Sequence, residues 1–299
     1  MSDIRCVHET AAIAGESPVW SMDEQVLYWI DVMAPAVHRF DPRSGENRSW
    51  KLPEQIGSIG LRKQGGLVAA TRSGFCFIDT GNGTVTPIVD PERHLPENGF
   101  NDGKCDRRGR FWAGSAWLGS EGRYDNPPAE PTGSIYRLDP DHSCHRIVPG
   151  IRETNTFAWS PDDRTIYFGD SAESKVIYAA DFDIDSGTIA NQRVFVRTGD
   201  GAGVHDGSAI DADGYLWTTF WQGWRIVRYA PDGRIDRVVE MPFKYVTSCA
   251  FGGDRLATLF VTSARWDLDG SELAAQPRAG SLFAFEPGVC GLPEPMFAG

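Results

Sequence analysis

Residues 156 to 183 read TFAWSPDDRTIYFGDSAESKVIYAADFD. A short apolar run, TFAW, meets a Pro- and Asp-rich turn. A β-rich run, TIYFGD (165 to 170), follows, and a third, VIYAADFD, comes after a further polar break. Apolar and aromatic runs of this length bounded by turn residues are the signature of strands. Runs like TIYFGD recur as VLYWID (26 to 31), GLVAAT (66 to 71), RFWAGS (110 to 115), YLWTTF (215 to 220) and LFVTSA (259 to 264). Each follows a small apolar run and a turn (SPVWSMDEQ, SIGLRKQG, GKCDRRG, GSAIDADG, SCAFGGDR) and precedes a third strand such as VHRFDP, FCFIDT, SIYRLDP, IVRYAPDG or SLFAFEP.

Six repeats at spacings of about 40 to 55 residues fall in the range of propeller blades. A sheet of three or four strands cannot bury both faces alone, whereas six arranged radially bury each against the next. The 33 Gly and 19 Pro are spread evenly and long 3.6-period apolar stretches are absent, so helices are expected to be scarce. The expectation is an all-β, six-bladed β-propeller filling residues 1 to 299 as one domain. IRCVHE near the N-terminus is expected to supply the outer strand of the last blade, with the tail EPMFAG as a competitor for that edge.

Composition narrows the function. A formal charge of −12 with no basic run argues against a nucleic-acid partner, because phosphate binding draws on clustered Lys and Arg. An acidic ligand would be repelled at long range unless a metal or a placed Arg held it. The charged first thirty residues fit no signal peptide, and no apolar run reaches the roughly 18 residues of a membrane span. The six cysteines, Cys6, Cys76, Cys105, Cys144, Cys249 and Cys290, show no paired or zinc-finger spacing and read as incidental thiols. A soluble cytoplasmic protein, a monomer or weak homodimer without membrane partner, is expected.

Aligning the turn that ends each first strand gives Ser21, Arg62, Asp106, Ser160, Asp211 and Gly252 as anchors. Five residues earlier stand Glu16, Gly57, Asn101, Asn155, Asp206 and Thr247. First strands line the channel of a propeller, so residues at one phase ring one mouth. Asn and Asp beside Gly are common in turns, but two carboxylates and two amides in register suit a divalent cation: the carboxylates neutralise it and the amide oxygens complete its shell.

The same residues carry a resemblance. GESPVW (15 to 20), FNDGKCD with GRFWAGS (100 to 115), TNTFAWSPDDRTIYF (154 to 168), DGSAIDADGYLW (206 to 217) and SCAFGG with LFVTSAR (248 to 265) resemble the gluconolactonase, regucalcin and luciferin-regenerating-enzyme family. The resemblance implies a six-bladed propeller, one divalent metal ion (Zn, Ca, Mn, Mg or Fe(II)) and lactone hydrolysis. It places Glu16, Asn155 and Asp206 as metal ligands, Asp206 also as catalytic acid or base, and Asn101 as a substrate contact that also approaches the metal. Regucalcin-like members carry an Arg two residues before the position of Asn101, where this chain has Gly99. Many have Pro where this chain has His205.

The expected activity is metal-dependent hydrolysis of an aldono-lactone, a pentono- or hexono-lactone, to the sugar acid. The alternatives are an aryl-esterase or phosphotriesterase-like propeller and a non-catalytic calcium-binding propeller. His205 is either a proton shuttle or a half-buried blade residue facing away from the mouth. Trp117 and Tyr124, in the loop WLGSEGRYDNPPAEPT (117 to 132) where the family places a substrate lid, are candidate substrate contacts, as are Trp221, Trp224 and Trp266. Arg265 either anchors substrate or pairs with Asp267. Ser17 and Ser208 sit in no nucleophile elbow.

Overall fold

In the computed structural model, which describes residues 3–172, 174–199 and 203–299, the chain forms six four-stranded antiparallel sheets. Their first strands are Gly15–Ser21, Ile56–Leu61, Asn98–Cys105, Thr154–Trp159, Val204–Ile210 and Tyr245–Gly252. Each packs beside the next and the sixth returns to the first, closing a β-propeller around a channel. The second strands fall on the runs read from sequence, with Val26–Asp31 and Thr165–Asp170 matching to the residue. The described residues hold one short helix, Gly270–Ala275, whose capping box pairs Asp269 with Glu272.

Alternation explains the inner strands only in part, because all of Ile56–Leu61 and all of Thr154–Trp159 are buried. One face packs on each neighbouring blade. Large aromatics wedge between blades: Trp20 stacks on Phe260 at 5.4 Å, and Trp112 meets Trp159 edge-on at 6.0 Å. Each fully buried side chain of this size contributes about 1.5–3 kcal/mol.

Arg5–His8 pairs antiparallel with Leu282–Phe285 as the outer strand of the sixth blade, so strands from both chain ends close the ring. The C-terminal tail does not compete for that edge. It crosses beneath the propeller: the Phe297 N–H donates to Leu61 O at 2.7 Å, Lys63 N–H to Phe297 O at 2.9 Å, and Ala298 N–H to Gly109 O at 3.0 Å. Glu294 of this tail meets Lys104 Nζ at 3.3 Å. Unsatisfied loop backbone at the bases of the second and third blades offers the tail more partners than the already paired edge.

Every first strand also breaks register near the same phase. The irregularities lie at Glu16/Val19, Ile56/Ser58, Phe100/Gly103, Asn155/Phe157, His205/Ser208 and Val246/Cys249. Bulges re-aim side chains, and two of these follow ring residues directly with positive φ, at Ser17 (47°) and Thr156 (62°). The opposite strand end carries a structural repeat. Asp211, buried, accepts from Trp217 Nε1 at 2.9 Å, Arg228 Nε at 2.8 Å and Tyr215 N–H at 2.9 Å, and Asp106 accepts in the same way from Trp112 and Arg110. Asp211→Ala strands a buried indole N–H and removes one of the carboxylates that hold Arg228, which keeps Asp236 at 2.8 Å, so a loss of about 1–3 kcal/mol is expected, read as a lower denaturant midpoint.

Candidate functional site

The bulges turn four of the six in-phase side chains toward one mouth of the channel. Glu16, Asn101, Asn155 and Asp206 line a cavity of about 310 Å³ together with Ala14, Val32, Arg123, Tyr124, Glu153, Ser171, Val204, Trp221 and Trp266. The other two serve packing. A Cβ on Gly57 would meet Phe100 O at 2.2 Å, and Thr247 spends its hydroxyl on Gly15 O at 2.6 Å.

The site is dominated by acid. Burial first, then the negative charge of Asp102, pushes the Glu16 carboxyl up to about 8. Asp206 is raised well above the ordinary range by burial and then by Glu16, Glu153 and Asp102. Glu153 is raised by burial and by Asp170, with its bond from Ser171 opposing. Asp102, deeper in the channel, rises to about 6 through burial, with Lys104 opposing. Like charges gathered in a low-dielectric space disfavour their own ionised forms, and a cation relieves that cost. Among the described residues no three His, Cys, Asp or Glu side chains group as metal ligands. A cation here would draw on amide oxygens as well as the carboxylates, a donor set suited to a hard divalent ion.

The amides are placed by hydrogen bonds. Asn155 Nδ2 donates to Ser171 Oγ at 2.9 Å, and Asn101 Nδ2 donates to Asn155 Oδ1 at 3.2 Å and to Thr154 O at 2.9 Å. Tyr124 donates its hydroxyl to Asn101 Oδ1 at 3.2 Å. Its ring faces Trp266 edge-on at 6.2 Å, and Trp266 meets Trp221 at 6.3 Å, giving the cavity one aromatic wall.

Four residues singled out from sequence stand outside this lining, one of them Trp224, which is exposed at the surface. His205 is fully buried against Gly169, where an added Cβ would lie 2.4 Å from its Nε2. Neither ring nitrogen has a hydrogen-bond partner among the described residues, and burial pulls its pKa down to about 3. The ring is a neutral packing element against Gly169, outside the cavity that Asp206 lines. Trp117 turns its indole N–H to Asp125 O at 3.0 Å, bracing the loop. Arg265 caps the end of its strand, its backbone N–H on Ile13 O at 3.1 Å.

Sequence reading missed Glu153, Ser171 and Arg123. Glu153 lies two residues before Asn155, on the same strand face by period, and that was its available signal. Ser171 and Arg123 gave none. Gly99 is closed rather than open: a Cβ there would meet Leu118 Cδ1 at 2.4 Å, so Leu118 fills the place where the family's Arg would begin.

Known proteins share this architecture end to end. A 6-deoxy-6-sulfogluconolactonase of Pseudomonas putida is 37% identical over 297 residues, covering 99% of each chain. Regucalcin of Xenopus laevis is 35% identical over 99% of this chain and 98% of its own. The crystal structure of a calcium-binding regucalcin from Agrobacterium tumefaciens superposes with a TM-score of 0.90 at 28% identity, covering 98% of this chain and 96% of that one. The family model described as the SMP-30/Gluconolactonase/LRE-like region matches residues 14–265, and the chain belongs to that family.

Proposed function

We propose that this protein is a metal-dependent sugar lactonase, a hydrolase of carboxylic ester bonds that opens an aldono-lactone to its sugar acid. The observation that carries the reading is the acidic mouth of the channel, where Glu16, Asp206 and Glu153 share one cavity with Asn155 and Asn101. The relationship to a sulfogluconolactonase across nearly the whole chain supports the reaction class. A cavity of about 310 Å³ lies at the lower end of the range for small-molecule sites, roughly 300–1,000 Å³, and accommodates a monocyclic lactone.

Glu16, Asn155 and Asp206 would hold the cation, with Asn101 beside them. A divalent cation bound there supplies Lewis-acid polarisation of a carbonyl oxygen. Asp206 serves as general base: a carboxylate oxygen takes a proton from the water that attacks the lactone carbonyl, and returns it to the ring oxygen as the C–O bond breaks. Binding a cation lowers the proton affinity of a carboxylate. Burial and the neighbouring acids push Asp206 the other way, preserving the basicity the step needs. Tyr124, Trp221 and Trp266 offer apolar faces to the sugar ring, Arg123 offers donors to its hydroxyls, and Asn101 Oδ1 keeps a lone pair to accept from one.

Asp206→Asn keeps the shape of the site and removes the base, so kcat is expected to fall at least about a hundredfold with an unchanged far-UV spectrum. A panel of glucono-, xylono-, arabino- and galactono-lactones set against an aryl ester and a phosphotriester tests the substrate class. Comparable turnover of the non-lactones would overturn it.

The raised carboxyls also make stability depend on pH. Metal-free folded protein binds protons at Glu16 up to about pH 8, whereas the unfolded chain releases them near 4.5. The folded state therefore carries the extra protons, and this contribution, full below pH 4.5, is lost as pH rises toward 8. In chelator, melting curves at pH 5.5 and 8 should show the loss. Added Ca²⁺ or Mn²⁺ should raise Tm more at pH 8, where ligands and protons no longer compete.

A further inference from the structure

Five side chains at the mouth form one hydrogen-bond chain with a single direction. Tyr124 donates to Asn101 Oδ1 at 3.2 Å, and Asn101 Nδ2 to Asn155 Oδ1 at 3.2 Å. Asn155 Nδ2 donates to Ser171 Oγ at 2.9 Å, and Ser171 Oγ to Glu153 Oε2 at 3.2 Å. The sense of the chain is set at its end. Ser171 Oγ gives its one proton to Glu153 Oε2 and so meets Asn155 with lone pairs alone. Asn155 must then offer its amide nitrogen to Ser171 and turn its amide oxygen toward Asn101 and the cavity. The opposite amide orientation would aim N–H groups at the cation site and break the bonds to Ser171 and Asn101.

We propose that Glu153 and Ser171 are positioning residues of the cation site, acting through Asn155 to hold its amide oxygen toward the channel and, through Asn101, to orient the Tyr124 loop above it. Sequence reading and the family resemblance give neither residue a role. The proposal rests on the reading of Asn155 as a metal ligand. Outer partners that fix ligand orientation typically change metal affinity 10–100-fold. Ser171 is fully buried and its side chain is small, so Ser171→Ala removes the hydroxyl with little change of volume.

The test is calorimetric titration of chelator-treated protein with Ca²⁺ and Mn²⁺, with melting curves of the metal-free state. S171A is expected to weaken the cation about tenfold or more while metal-free Tm stays within about 2 °C of wild type, and S171T is expected to recover most of the affinity. In an N155D background the carboxylate presents an oxygen whichever way it turns. There the cost of S171A should shrink to about twofold or less. Equal affinity of S171A and wild type would overturn the proposal, as would the same cost in both backgrounds. Weakening by E153Q with S171A unaffected would show that Glu153 acts by charge alone, and would also overturn it. Failure of the wild type to bind either ion would instead overturn the metal reading and this proposal with it.

Discussion

Gathering carboxylates in a space that water reaches poorly is costly, and the channel mouth does so with Glu16, Asp206 and Glu153, with Asp102 below them. Glu16, Glu153 and Asp102 raise the proton affinity of Asp206, and Asp102 and Glu153 that of Glu16. The fold tolerates this because the strain is spread around a closed ring whose six inner strands are supported on both sides. Between ring and charge there is a division of labour: packing between blades fixes the backbone, and the uncompensated acid at its centre creates the demand for a cation. Sites with such perturbed groups in a cleft are where function concentrates.

The far side of the channel is treated in the opposite way. Lys104 reaches Ser208 O at 3.1 Å and Glu294 at 3.3 Å, and the tail that carries Glu294 is stitched to the bases of the second and third blades. Charge is paired there, and backbone groups are satisfied. At the mouth, the bulges after Glu16 and Asn155 leave acid unpaired and hold Ser17 and Thr156 at positive φ. Acid left unpaired at one end of a channel whose other end pairs its charge marks the mouth as the functional end.

The ring was legible because propeller blades repeat and strands alternate: one phase, five residues before each turn, named Glu16, Asn101, Asn155 and Asp206 without any structure. The outer strands, such as Asn47–Lys51 and Ile235–Glu240, were not placed, because edge strands facing water lose the apolar alternation that marks them. Ser171 was invisible for a different reason. It follows a second strand, and only the pairing of that strand with Thr154–Trp159 brings its hydroxyl to Asn155. Counting along the strand does not decide the facing of His205, because the bulge beside Asp206 breaks the alternation.

Gly99 and the loop above the mouth bear on how a ligand is held. With Leu118 occupying the space beside Gly99, no side chain grows from that position, and contacts to a ligand fall to the loop instead. That loop is tied down from several blades: Gln55 Nε2 donates to Gly122 O at 3.1 Å, Arg72 to Gly119 O at 2.7 Å, and Arg152 to Pro128 O at 2.5 Å and Ala129 O at 2.7 Å. Cross-blade bonds from long side chains to loop carbonyls order the segment before any ligand arrives, so binding need not meet the entropy of ordering it. Tyr124 then sits at the junction of two networks, the aromatic wall through Trp266 and the amide chain through Asn101. A change in the loop is thereby transmitted to the amide beside the proposed cation, which couples the loop to the proposed metal site.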